Sequence, residues 1–130
     1  MTTTSRTIVA APDAPAAIGP YSQAVAHGDL LYCSGAIPLD PADGALVTGS
    51  PAVETTRCLE NLQAVCRAAG TDLANALRLT VYTTQLDRFA EINEAYAAFF
   101  PADPPARVTV GVAALPKDVH VEIDAIVARA

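Results

Sequence analysis

Ala106-Arg107-Val108-Thr109-Val110-Gly111-Val112 and, beyond Pro116-Lys117-Asp118, Val119-His120-Val121-Glu122-Ile123-Asp124-Ala125 decide the fold. In both segments apolar residues alternate with polar or small ones, the period of a half-buried strand. The Pro-Lys-Asp turn between them reads as a hairpin. With both apolar rows turned to one core, Val108, Val110 and Val112 face it on the first strand. Val119, Val121, Ile123 and Ala125 face it on the second. Arg107, Thr109, Gly111, His120, Glu122 and Asp124 then share the opposite, open face. A turn centred near Lys117 sets Glu122 across from Gly111. Arg107 lies four residues further along, about 13 Å away at the rise of a strand. No salt bridge within one chain spans that gap, so each side chain looks to a ligand, a water or a neighbouring subunit. A guanidinium, always charged and with five donors in a planar fork, suits the grip of a small carboxylate.

Upstream, Phe89, Ile92, Tyr96 and Phe99 repeat at helical spacing, and Pro101 stops a helix predicted from Asp87 to Phe100. Leu77, Leu79 and Val81 alternate with Arg78, Thr80 and Tyr82 as a strand. Leu59, Leu62, Val65, Cys66 and Ala69 form one stripe of a longer helix from Pro51 to Ala69. Ser50 caps its start, Pro51 suits its first position and Gly70 ends it. Nearer the N-terminus, Ala24 to His27 and Leu30 to Ser34 flank a Gly-containing turn. Thr7-Ile8-Val9 reads as a short strand within an N-terminal segment, residues 1–13. The whole, residues 1–130, reads as a single α+β domain with a mainly antiparallel sheet and two helices on one face. The other face carries the unusual residues, and an open apolar face of this kind favours a homo-oligomer with sites at its seams.

The chain has 130 residues, 52% of them hydrophobic, and a net charge of −6. A single core suffices at this length. The acidic balance and the eight scattered basic residues argue against a nucleic-acid partner, whose affinity rests on Lys and Arg. No run approaches the ~18 apolar residues of a membrane helix, so no membrane partner is expected. Met1 to Arg6 lacks the apolar stretch of a secretory signal. Cys33, Cys58 and Cys66 are odd in number and without metal-ligand spacing; they read as small buried hydrophobes in a reducing, cytoplasmic setting. His27 reads as solvated, and His120 as an interface or surface histidine.

Four ordered blocks resemble the Rid/YjgF family of reactive-intermediate deaminases. They are Ala17-Ile18-Gly19-Pro20-Tyr21-Ser22-Gln23-Ala24, Cys33-Ser34-Gly35-Ala36-Ile37-Pro38, the stretch from Phe89 to Phe100, and Pro105-Ala106-Arg107 through Val121-Glu122-Ile123. The resemblance runs from about Ala14 to Val127. It implies a chorismate-mutase-like homotrimer with three clefts between subunits, and neither metal nor organic cofactor. It implies hydrolytic deamination of small 2-imino or 2-enamino acids, such as 2-iminobutanoate and 2-iminopropanoate, to 2-keto acids and ammonia. Arg107 would bind the substrate carboxylate through a two-pronged salt bridge, and Glu122 would hold and activate the attacking water. Tyr21, Ser34, Gly35 and Thr109 would shape the cleft, with Phe89 and Asn93 in its wall. A carboxylate among valines should have a raised pKa and act as a base through water.

Three positions depart from the common family pattern. Thr109 stands where cysteine is frequent, Gly111 where glutamate is common and Ala114 where arginine is. Threonine keeps the backbone contact and adds a hydroxyl. The alternatives are a small-carboxylate-binding trimer without turnover, a paralogue acting on aminoacrylate, and an endoribonuclease, which the acidic charge disfavours.

Overall fold

The computed structural model describes residues 5–129. Its elements are β1 (Thr7–Val9), β2 (Ala24–His27), β3 (Leu30–Ala36), α1 (Pro51–Ala68), β4 (Ala76–Thr83), α2 (Phe89–Ala97), β5 (Ala106–Gly111) and β6 (Val121–Ala128). The strands form one six-stranded sheet in the order β1-β2-β3-β6-β4-β5. All pairings are antiparallel except β4 with β5, which is parallel. Both helices contribute to one core on one side of the sheet: Cys58, Leu59, Leu62 and Cys66 from α1, Ile92 and Tyr96 from α2, over Leu31, Leu79, Val81, Val121 and Ile123. An α+β architecture with a mainly antiparallel sheet is therefore present.

The local signals act as expected. Ser50 accepts from the Val53 N–H at the head of α1, and Gly70 closes the helix in a left-handed conformation, φ 81°. Two expectations of a local kind fail. Leu77 is 49% exposed, because the pairing of β4 with β6 slips between Ala76 and Arg78. Phe89 is 38% exposed, because a 3-10 turn over Leu86–Arg88 precedes α2 and sets it at the helix mouth.

The expected hairpin of the last two strands is corrected. β6 does not return beside β5. It passes over β4 and pairs with β3 and β4, leaving β5 at the sheet edge. The burial patterns explain the choice. Every second residue of β6 from Val121 to Val127 is buried, the demand of a central strand, whereas β5 has none buried. The connection over 112–120 is also longer than a tight hairpin turn. It runs through two consecutive left-handed residues, Lys117 and Asp118.

The expected faces change with the pairing. Cross-strand partners share a face of the sheet. Arg107 and Thr109 partner the fully buried Leu79 and Val81, so both turn toward the helices. Val108 and Val110 turn the other way, with Tyr82 and its partner Glu122. Arg107 and Glu122 thus lie on opposite faces, not on a shared open one. They remain about 14 Å apart, by two strand spacings and three residues of rise. Alternation could not reveal this, because the uncovered face is itself partly apolar: Ile8, Tyr32 and Val108 are all exposed there.

Glu54 of α1 fixes the entry to β6. Its buried carboxylate accepts from the backbone N–H of His120 at 2.7 Å and of Val121 at 3.3 Å. Replacing Glu54 by Ala leaves both donors unpaired, and stability should fall by about 2–3 kcal/mol. Urea unfolding measures this; an unchanged midpoint would show the clamp to be idle.

The three cysteines are free and buried. A hydrogen bond with Cys66, and then burial, push the Cys33 thiol well above its usual range. Burial does the same to Cys58. Neither has the thiolate character of a reactive site. No helix among the described residues is long and apolar enough to cross a membrane.

Candidate functional site

The residues of interest form two clusters, one on each side of the sheet. The first gathers where β5 meets α2. Phe89, Asn93 and Tyr96 lie three and four residues apart and so share a face of α2. The Arg107 guanidinium settles among them. Its Nη1 donates to Asn93 Oδ1 at 2.8 Å, and its Cζ lies 4.8 Å from the Tyr96 ring centre and 5.5 Å from that of Phe89. Such stacking holds a cation without neutralising it. The salt bridges among the described residues are Arg57–Glu60 and Arg88–Glu91, and neither involves Arg107. Its fork faces a groove lined by Leu86, Phe89, Arg107 and Thr109. Gly111 matters here because a Cβ would press on Leu86 Cδ2 at 3.3 Å.

The second cluster gathers around Glu122 on the uncovered face. A groove of about 270 Å³ is lined by Ile18, Tyr21, Ser34, Gly35, Ile37, Pro116 and Glu122. The carboxylate lies flat against the backbone of β3, where the pairing with β6 slips between Cys33 and Ala36. Gly35 permits this: a Cβ there would overlap the carboxylate, with Glu122 Cδ at 3.0 Å. Burial, and then the negative charge of Asp124, raise the Glu122 pKa above its usual 4.5. Asp124 in turn accepts from the Tyr82 hydroxyl at 3.1 Å.

The wall of this groove is held by a strap, residues 11–21. Gln23 pins it, accepting from the Ala11 N–H at 2.5 Å and donating to the Pro15 and Ala11 carbonyls at 2.7 and 3.2 Å. The Tyr21 hydroxyl accepts from the Ile18 N–H at 3.2 Å, and Ser34 Oγ donates to the Ser22 carbonyl at 2.6 Å. Ser34 is thus engaged in holding the strap, while its backbone borders the groove.

Gly35→Ala tests the close approach. The three atoms nearest the added methyl all belong to the Glu122 side chain, so the fold should survive and the carboxylate should shift. A displacement near 1 Å predicts a loss of about 10²-fold in any reaction that uses this carboxylate, with an unchanged melting temperature. Full activity in the alanine variant would remove Gly35 from the site.

The structure therefore brings Arg107, Phe89, Asn93 and Thr109 together, and separately Tyr21, Ser34, Gly35 and Glu122. It does not unite the two sets in one chain. Asn93 holds the arginine rather than simply lining a wall. Tyr96, Leu86, Gln23, Tyr82 and Asp124 were not foreseen as site residues. Tyr96 was hidden because an aromatic in a helical stripe reads as core, which it also is.

A family model described as "Endoribonuclease L-PSP" matches residues 11–129. The chain belongs to the YjgF/Rid family. Among Rid relatives, the RutC family protein y4sK of Sinorhizobium fredii is 50% identical over 115 residues, covering 88% of this chain and 91% of that protein. The 2-iminobutanoate/2-iminopropanoate deaminase of Bos taurus is 43% identical over 126 residues, covering 97% of this chain and 92% of that protein. Among solved Rid structures, E. coli TdcF with bound serine superposes with a TM-score of 0.90 at 40% identity, covering 95% of this chain and 99% of that one. The α+β fold expected of the family is thus the fold observed.

Proposed function

We propose that this Rid protein hydrolyses small 2-imino acids to 2-oxo acids and ammonia. The carrying observation is the Arg107 guanidinium, held by Asn93 between two rings, without a carboxylate partner among the described residues and facing a groove. It is a preformed seat for a carboxylate, which guanidinium takes with two parallel hydrogen bonds. The name of the bovine relative and the serine bound to TdcF, an amino acid with that same group, support the reading.

Glu122 supplies the base. A substrate of a few carbons cannot touch Arg107 and Glu122 of one chain, which lie on opposite faces about 14 Å apart. The cleft is completed between copies: the arginine cluster of one subunit meets the glutamate cluster of the next around a trimer. The exposed Ile8, Tyr32 and Val108 on the uncovered face support burial of that face in the assembly.

The reaction needs only water as co-reactant. Glu122 takes a proton from water as the water oxygen bonds to the imine carbon, and passes that proton to the nitrogen, giving a carbinolamine. The C–N bond then breaks, the hydroxyl loses its proton and the nitrogen leaves as ammonia. Arg107 fixes the acid so that the imine carbon meets the water, and orientation of this kind is a large share of any rate gain. The three free cysteines fit a reducing setting, and the expected one is the cytoplasm.

A coupled assay tests the proposal. Threonine dehydratase generates 2-iminobutanoate, and semicarbazide traps what remains. Loss of imine no faster than in buffer would leave a binding protein without turnover. The family description as an endoribonuclease suggests RNA cleavage instead. The net charge of −6 argues against a phosphate-tracking surface, and an RNA-cleavage assay on the same preparation separates the two.

A further inference from the structure

Two buried side-chain oxygens among the described residues have no hydrogen-bond partner: Tyr96 Oη and Thr109 Oγ1. Both belong to the surroundings of Arg107. Tyr96 stacks on its guanidinium, and Thr109 lines the same groove. A buried hydroxyl left unpaired is a cost to folding, and valine would fill the same space without it. The placement suggests a partner that arrives with the ligand.

Thr109 lies two residues beyond Arg107 on the same face of β5, since the two partner Val81 and Leu79. That spacing is about 6.6 Å between Cα atoms. A carboxylate gripped end-on by the Arg107 fork points the rest of the acid away from the fork, and the next polar atom is the one on its α-carbon. Rotation of Thr109 about χ1, between staggered positions, exchanges methyl and hydroxyl at the groove wall.

We propose that Thr109 Oγ1 hydrogen-bonds the α-nitrogen or α-oxygen of the acid held by Arg107, and so selects 2-imino and 2-oxo acids over plain carboxylic acids. The inference rests on the carboxylate seat proposed above. A hydroxyl both donates and accepts. It accepts from the imine N–H before the reaction and donates to the 2-oxo group after it, so one contact serves substrate and product. A site built to pair such a group rejects analogues that lack it, because its own polar atom is then stranded.

Calorimetric titration of 2-oxobutanoate and butanoate into the wild type, Thr109→Val and Thr109→Ser is the test. The wild type should prefer 2-oxobutanoate. Thr109→Val should weaken 2-oxobutanoate about tenfold, leave butanoate unchanged and melt no lower than the wild type. Thr109→Ser should keep the preference. Equal weakening of both acids, or of neither, overturns the role. So does a lower melting temperature or a smaller assembly with the preference intact, which would mark the hydroxyl as structural. Failure of the wild type to bind either acid would instead sink the carboxylate seat itself.

Discussion

Arg107→Ala should lower kcat/KM for 2-iminobutanoate by two to three orders of magnitude while the fold persists. Removing one member of a desolvated, hydrogen-bonded charge pair costs about 2–5 kcal/mol, and each 1.4 kcal/mol is about tenfold. The loss should show as a raised KM and a lowered kcat together, because the same fork binds the acid and aims its α-carbon. Arg107→Lys keeps the charge but not the fork, and should recover only a small part. Stability should change little, since among the described residues Arg107 is held by one hydrogen bond, to Asn93, and by stacking on two rings at a half-buried position. Wild-type kinetics in the alanine variant would refute the proposed function.

Glu122→Gln should have a similarly large effect of a different kind. Loss of a general base costs about 10²–10⁴-fold in kcat, with KM for the acid nearly unchanged because Arg107 still holds it. Stability supplies a second readout. The Glu122 pKa is raised in the folded chain, by burial and then by Asp124. A group raised in this way favours the fold below its unfolded pKa and loses that contribution as pH rises through the folded value. The glutamine variant should therefore match or exceed the wild type in urea at pH 7, and lose that advantage in acid. The rising limb of the wild-type rate should lie above pH 4.5, the usual carboxylate value.

The two variants also test the shared cleft. Equal amounts of Arg107→Ala and Glu122→Gln chains, unfolded and reassembled together, sort at random. About one quarter of the seams between copies then carry both intact groups, as expected for a ring of heterologous contacts. Activity near that fraction of wild type is expected. A mixture as inactive as its components would place both groups in one chain's site and contradict the arrangement.

What the chain reveals before folding follows from the range of each interaction. The ends of α1 are written locally, in Ser50, Pro51 and Gly70, and they hold. The turn at Gly28 is equally local. The pairing of β5 and β6 is not. Each strand alternates correctly, but the choice of neighbour depends on β4, whose fully buried Leu79, Val81 and Thr83 take a place between them. The face of β5 was misread for a related reason. Valines at an edge strand can serve an interface as well as a core, and Val108 lies on the side away from the helices.

The candidate residues show the same division. Arg107 and Glu122 stand out by type, as charges in apolar strands. Asn93, Tyr96 and Gln23 do not, since their importance lies in which atom they touch: Nη1 of Arg107, the face of its guanidinium, and the carbonyls of residues 11 and 15. Thr109 is visible as a departure from the common pattern, but only the folded chain exposes its oxygen as unmatched.

The buried thiols give the molecule an internal clock. Cys58 Sγ donates to the Val121 carbonyl at 3.6 Å, tying the first half of the long helix to one strand, and Cys66 meets Cys33 of another. An alkylating reagent can reach each sulfur only when its own neighbourhood opens, so pulse labelling read by mass would time the peeling of that helix from the sheet, end by end, with no introduced probe.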